Sequence, residues 1–344
     1  MKTPKQTSKN SIQELAKALR LSPATISRVL NNHPHVHTDT RNRVMAFVEK
    51  TGYTRNVMAS GLRTNKTNTV GLIVPRFSMF VHTEVITTIQ NGLHAHGYNL
   101  IICQSNDSVE LEKDLARTLY ASRVDAVIVA CTMFTKDFSH FDILTENDIP
   151  VLFYDRVPVH PYPACIVRGD DFRGGFLAAS HLVQLSCKRI AYISGPLTCN
   201  IYIDRYAGFE KALTQNKIPI HKDWIFYHEL TADNARKAMH RLFAKAPFPD
   251  AIMAANDVTA IAVLEHAREV GIRVPESLRI VGYSNDPRSA IITPSITTIE
   301  QFPVSIGRVI VAEVLKLLKQ DGEKVTKETE PIIIPVELIR RMST

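Results

Sequence analysis

The sequence predicts two architectures in one chain: an all-α helix-turn-helix head, followed by an α/β core built on two parallel sheets. Three observations predict it. The opening stretch of 60-odd residues carries short apolar stripes at helical spacing. The remaining 280 or so alternate apolar strand-like runs with helical patterns. The charge changes sign at the same place. Residues 1–66 hold twelve Lys and Arg against three acids, a surplus of +9, which leaves −2 for the rest of a chain whose net charge is +7.

In the head, Ser11-Ile-Gln-Glu14 reads as a capping box that starts a first helix. Ile12, Leu15, Ala16 and Leu19 then fall on one face. Ser22 suits an N-cap and Pro23 the first turn of a second helix, so the link between the two is tight. Leu21 and Ile26 are spaced for a hydrophobic staple. Ile26, Val29 and Leu30 face inward, which leaves Ala24, Thr25, Ser27 and Arg28 outside. Such a second helix is sized for a DNA major groove. Arg28 can fork onto a guanine, Thr25 can reach a base edge or phosphate, and Ala24 can touch a thymine methyl. A third helix is expected from Thr38, with Val44, Phe47 and Val48 closing a small core and Gly52 ending it. A short helical stretch from Asn56 to Arg63 and a polar linker, Thr64–Asn68, complete the region. A plain helical hairpin would satisfy the two helices alone, but the basic surplus argues for a polyanion partner.

In the core, strands are expected at Thr69–Pro75, Asn99–Ser105, Asp125–Cys131, Pro150–Arg156, Arg189–Gly195, Trp224–Leu230, Asp250–Asn256 and Leu278–Ser284. Helical patterns fall between them, at Thr83–His96, Val109–Ser122, Phe172–Leu185 and Asp257–Val270. So many continuous apolar strands suit two sheets covered on both faces. Ligands of such sheets sit beyond the carboxyl ends of the strands.

Other classes fare worse. No apolar run reaches the roughly 18 residues of a membrane helix, and the polar, basic Met1–Asn10 leads into no signal-peptide core, so the cytoplasm is expected. The five cysteines show no CxxC spacing, and no disulfide framework, metal or cofactor is expected from them. No GxSxG, HExxH or glycine-rich phosphate loop supports an enzyme. His33-Pro-His35-Val-His37 could suggest a metal, but its place after the second helix favours a solvated or phosphate-facing loop.

The head resembles that of the lactose/galactose repressor family. The matching words are SIQELAKALRLSPATISRVLNN, TDTRNRVMAFVEKTGY and NVMASGLR. The core words are VGLIVP, YDRV, GDDFRGG, RIAYISGP, DRYAGFEKAL, DAIMAAND, VPESLRIVGYSND and TPSITTIEQ, so the likeness covers essentially the whole chain. It implies a two-lobed, periplasmic-binding-protein-like core with an effector cleft between the lobes. The head would be 1–54 and the hinge helix and linker 55–68. The first lobe would be 69–170 with 294–324, and the second 171–293 with 325–344. The chain would cross between lobes near Asp170, Thr293 and Lys324.

The resemblance also implies site residues. Ser22, Pro23, Ala24, Thr25, Ser27, Arg28 and Asn31 would face the major groove of a double-stranded operator. Leu62, paired with its copy in a homodimer, would wedge into the minor groove, with Ala59 and Arg63 beside it. Asp155, Asp170, Arg205 and Asn256 match effector-cleft positions. Ser284 stands where many members carry a sugar-binding aspartate. Structural roles compete: Asp155 could pair with Arg156, and Asp257 could cap its helix. With the aspartate lost and Arg205 kept, and Arg76 pointing inward, the cleft would turn positive and suit an acidic or phosphorylated sugar. The reading is thus a ligand-responsive repressor of a carbohydrate-utilisation operon. The alternative is a sugar-binding transport or sensor protein, against which the basic head argues.

Overall fold

The computed structural model describes residues 12–30, 33–53, 66–319 and 330–344. The chain divides into two compact units, 1–65 and 66–344. In the first, helices α1 (Ile12–Leu19), α2 (Pro23–Leu30) and α3 (Thr38–Thr51) surround a small core. Leu15, Ala16, Ile26, Val29 and Val44 are buried there, with Leu21, Phe47 and Val48 packed around them. Gly52 stops α3 with φ +61°, a left-handed value that glycine adopts without strain.

The second unit holds two lobes. The first lobe is a six-stranded parallel sheet of β1 (Thr69–Val74), β2 (Asn99–Gln104), β3 (Ala126–Val129), β4 (Val151–Tyr154), β5 (Cys165–Gly169) and, from near the end of the chain, β11 (Ile332–Ile334). The strand order is β11-β5-β4-β3-β1-β2. Central strands β1, β3 and β4 are almost wholly buried, as strands covered on both faces must be. Helices α4 (Phe80–Ala95), α5 (Val109–Ala121) and α6 (Asp142–Thr145) belong to this lobe.

The second lobe has a parallel sheet ordered β7-β6-β8-β9, from β6 (Ile190–Ser194), β7 (Ile225–Tyr227), β8 (Ala251–Ala254) and β9 (Arg279–Val281). An antiparallel pair, β10 (Thr298–Glu300) with β12 (Glu337–Ile339), joins it through a bridge from Val281 to Thr297. Helices α7 (Asp171–Gln184), α8 (Asn200–Gln215), α9 (Ala232–Leu242), α10 (Asp257–Glu269) and α11 (Pro287–Ile291) surround it. Helix α12 (Pro303–Lys319) returns to the first lobe and packs on α4, where Val311 lies against Gly92 and Thr88 against Gly307. In the second lobe, α7 and α8 touch backbone to backbone. A Cβ on Gly175 would meet the Arg205 carbonyl at 2.1 Å, and one on Gly208 the Phe172 carbonyl at 2.1 Å. That contact fixes the turn of α8 that carries Arg205.

Sheet pairing corrects two of the three expected crossings. The first lies at Asp170, directly after β5. The second is not at Thr293. Residues 297–300 stay on the second lobe, since the Gly282 and Ser284 amides donate to the Thr297 and Ile299 carbonyls, and the chain leaves only after Glu300. The third is not at 324, because β11 pairs with β5 of the first lobe; the chain crosses between Ile334 and Glu337. The sequence before Ile332 is polar, and a three-residue strand is too short to show a period. The linker is also shorter than expected at its end. Thr67 already belongs to the core, its amide donating to Asp125 Oδ1 at 2.7 Å.

Candidate DNA-reading surface and effector cleft

Helix α2 presents a prepared outer surface. The Ser22 hydroxyl accepts the Thr25 amide at 3.0 Å and lies 2.8 Å from the Thr25 hydroxyl, the N-cap that the sequence suggested. Ile26 and Val29 are fully buried. That inward anchor leaves Pro23, Ala24 and Arg28 exposed, and Thr25 and Ser27 half-buried. Arg41 braces the loop after α2 by donating to the His33 carbonyl at 2.8 Å, and Arg43 reaches the Leu19 carbonyl at 3.4 Å. Among the described residues no group of three potential ligands could hold a metal, so the His33, His35 and His37 run supplies no such cluster. Ser11, Asn31, Ala59, Leu62, Arg63 and the expected hinge helix lie outside the described residues.

In the second unit, the carboxyl ends of both sheets face each other across the crossings. The first-lobe wall is organised on Asp107, which sequence reasoning missed. Its carboxylate accepts Arg156 Nη1 at 2.6 Å, Arg76 Nε at 2.8 Å and the Met133 amide at 3.2 Å. Burial pushes the Asp107 carboxyl up, but Arg156, Arg76 and the Met133 amide outweigh it and hold it below the usual range. The expected Asp155–Arg156 pair is therefore not formed; Arg156 serves Asp107 instead. Asp155 is buried with φ +57°, a left-handed turn that Asp tolerates, and its Oδ2 lies 3.8 Å from His82 Nε2. His82 is fully buried against the Tyr154 hydroxyl at 3.1 Å, and burial lowers its pKa to about 4, so it is neutral at pH 7.

The second-lobe wall is organised on Arg205. Its Nε donates to Asp171 Oδ1 at 2.7 Å and its Nη1 to the Ala255 carbonyl at 2.7 Å. Its guanidinium carbon lies 3.6 Å from the centre of the Tyr283 ring. Burial raises the Asp171 carboxyl to about 6 despite this arginine. Asp170 and Asn256 spend their side chains as helix caps. Asp170 accepts the Arg173 amide at 2.9 Å, and Asn256 Oδ1 accepts the Thr259 amide at 2.8 Å. Asp257 is therefore not the cap but the first helical residue. It is buried, accepts from the Asp286 amide and the Thr298 hydroxyl at 2.7 Å each, and burial raises it to about 7. Ser284 sits at a strand end with φ +106°, its amide held by Ile299.

The expected positive cleft is not formed. Arg76 lies between Asp107 and Glu229, Arg156 on Asp107, and Arg205 on Asp171. Three arginines thus meet four carboxylates once Asp155 is included. Buried side-chain atoms left without a partner stand among these groups: His82 Nε2, Arg156 Nε and Asp171 Oδ2. They mix donors and an acceptor. Besides Asp107, the sequence reading passed over Glu229, Asn200 and Met133. The signal for the first two acids was positional, since Asp107 and Glu229 each follow the end of a strand.

Comparison with known proteins agrees with both units. The family model for bacterial regulatory proteins of the lacI family matches residues 11–56, and that for the periplasmic binding protein-like domain matches 179–344. The HTH-type transcriptional repressor PurR of Haemophilus influenzae (strain PittEE) is 30% identical over 332 residues, 96% of this chain and 98% of the relative. The chain belongs to the lacI family of bacterial regulatory proteins. Among solved structures, the Lac repressor bound to ONPG in the repressed state is 25% identical, with TM-score 0.84 over 97% of this chain and 99% of that one. The Lac repressor dimer bound to operator and the anti-inducer ONPF shares the fold at 24% identity and TM-score 0.85, covering 97% and 98% of the two chains. Among the described residues of this lacI-family chain, no helix is long and apolar enough to cross a membrane.

Proposed function

We propose that this lacI-family protein is a cytoplasmic, DNA-binding transcriptional repressor that holds a pseudo-palindromic operator as a homodimer and responds to a small effector between its lobes. The observation that carries the reading is α2: a rigidly capped helix, anchored by Ile26 and Val29, that turns Ala24, Thr25, Ser27 and Arg28 to the outside of a basic head. Ser22 and Pro23 flank that surface; Asn31 is proposed as a further major-groove residue, and Ala59, Leu62 and Arg63 as the minor-groove set. The H. influenzae relative is named a repressor, which supports that sign of control.

Exposed apolar edges support the dimer. Strand β2 ends the first sheet with Ile101 and Ile102 each 38% exposed, and Ile291 is 82% exposed on the second lobe. An uncovered apolar edge strand is a pairing surface.

The cleft supports a neutral, hydroxyl-rich effector such as a sugar. Asp155, Arg205, Asn256 and Ser284 stand at or near its walls, and Asp170 works at the crossing. Each cleft arginine has an internal carboxylate, which argues against a sugar acid. Mixed donors and acceptors suit hydroxyl groups, which are both. Control of a carbohydrate-utilisation operon follows from that ligand class.

Genomic footprinting with the full-length protein tests the reading. Protected sites beside genes for sugar uptake and breakdown are expected; uniform, sequence-independent protection would refute it. Calorimetric titration with neutral sugars and the matching sugar acids tests the ligand class, and tighter binding of the acids would overturn it.

A further inference from the structure

A cavity of about 230 Å³ opens beside the β5–α7 crossing. Residues 157–159, Ile166 and Arg168 of the first lobe line it, with Asn200, Ile203 and Asp204 of the second. Helix period sets it apart from the wall built on Arg205. Asn200, Ile203 and Asp204 stand at i, i+3 and i+4 on one face of α8, while Tyr202 and Arg205 stand on the other. Asn200 forms a partition between the two places. Its Nδ2 donates to the Asp155 carbonyl at 2.9 Å and its Oδ1 accepts the Val157 amide at 2.9 Å. On β5, Cys165 and Val167 face the core shared with α4 and α12, so Ile166 and Arg168 project from the opposite face of the sheet.

The walls are mostly apolar. Val157 is buried, but Val159 and Ile203 are left 39% and 37% exposed. The charged side chains that line the cavity, among the described residues, are Arg168 and Asp204, and they pair with each other. Both are partly exposed, and such a pair is weak enough to admit a competing partner on each side. We propose that this cavity binds a free α-amino acid with a branched apolar side chain, its carboxylate on Arg168 and its ammonium on Asp204. A cation and an anion side by side select a ligand that carries both charges. A simple carboxylate would sit against Asp204, and a simple amine against Arg168. The volume lies below the roughly 300 Å³ at which pockets for drug-sized ligands begin, so the occupant is small. Val157, Val159, Ile166 and Ile203 take its side chain. This site is independent of the operator and of the effector between the walls.

Calorimetric titration of the full-length protein with L-valine, L-leucine and L-isoleucine tests the site. At least one of the three is expected to bind, and L-alanine about ten-fold or more weakly, because it lacks the apolar branch. For the best binder, Arg168→Gln and Asp204→Asn are each expected to weaken binding about ten-fold, the worth of one charge-assisted contact. Analogues read the same two contacts in the wild type, so a variant that fails to fold does not remove the test. Relative to L-leucine, 4-methylpentanoate lacks the ammonium and 3-methylbutylamine lacks the carboxylate. Each is expected to bind about ten-fold more weakly than L-leucine. Hydrogen exchange locates the ligand, with slowed exchange expected in peptides covering 157–168 and 200–204. No binding of the three amino acids up to about 10 mM would overturn the proposal. So would equal or tighter binding of either analogue, affinity unchanged in both folded variants, or protection confined to 76–82 and 281–286 on the effector walls.

Discussion

The head and the cleft use the same residue, arginine, in opposite ways. On α2, Arg28 is exposed on a helix whose apolar side is fully anchored. In the cleft, Arg156 and Arg205 are buried and each is paired with a carboxylate. A surface built to meet another molecule leaves its charge outside; a cleft whose charges face one another neutralises them first. The difference is testable, because removing an arginine should cost stability in one region and specificity in the other.

The largest effect is expected at Arg205. Arg205→Ala strands the Asp171 carboxylate in a buried site and should cost about 3 to 5 kcal/mol in urea unfolding. Replacing both partners, Arg205→Met with Asp171→Leu, should recover much of that loss. Equal losses in single and double variants would show that the pair is not the source. In the head, Leu15→Ala empties part of a core with few buried residues and should cost about 2 to 5 kcal/mol. The sharp form of this expectation is that DNA retention is lost while the core's own unfolding transition is unchanged.

Arg28→Ala is the counterpart of Arg205→Ala. It should change stability by less than about 0.5 kcal/mol and relax discrimination at one base position by about 1 to 3 kcal/mol. Equal weakening on all sequences would place Arg28 on a phosphate. The smallest effect is pH-dependent. Burial raises Asp257 to about 7, above the unfolded value near 3.9. The folded state then binds the proton more tightly, so stability is greatest at low pH and falls as pH rises through that window. Asp257→Asn should flatten this part of the melting-temperature profile between pH 4 and 7. An unchanged slope would assign the effect to another group.

The same contrast explains what the sequence disclosed. Head residues act close to where they stand in the chain, so Ser22, Pro23, Ile26 and Arg28 could be placed by helix period and cap chemistry alone. The parallel strands of the core were legible as apolar runs for the same local reason. Cleft partners are distant: Asp107 meets Arg156 across 49 positions and Glu229 meets Arg76 across 153. No local period encodes such pairs, so the charge of the cleft was misjudged from Ser284, Arg76 and Arg205. Short strands β10, β11 and β12 were lost likewise, since three residues carry no readable alternation, and with them went two lobe crossings. Asn256 stands past the end of β8 and caps α10, the role the sequence suggests for its neighbour Asp257.

Selection from a pool of random DNA duplexes, with the full-length wild-type protein and run both with and without a metabolite extract, tests the central claim most directly. Recovery of a two-fold symmetric motif, with half-sites set by two copies of α2, is the expected result. Recovery of no motif under either condition, or of a single unpaired half-site, would contradict it.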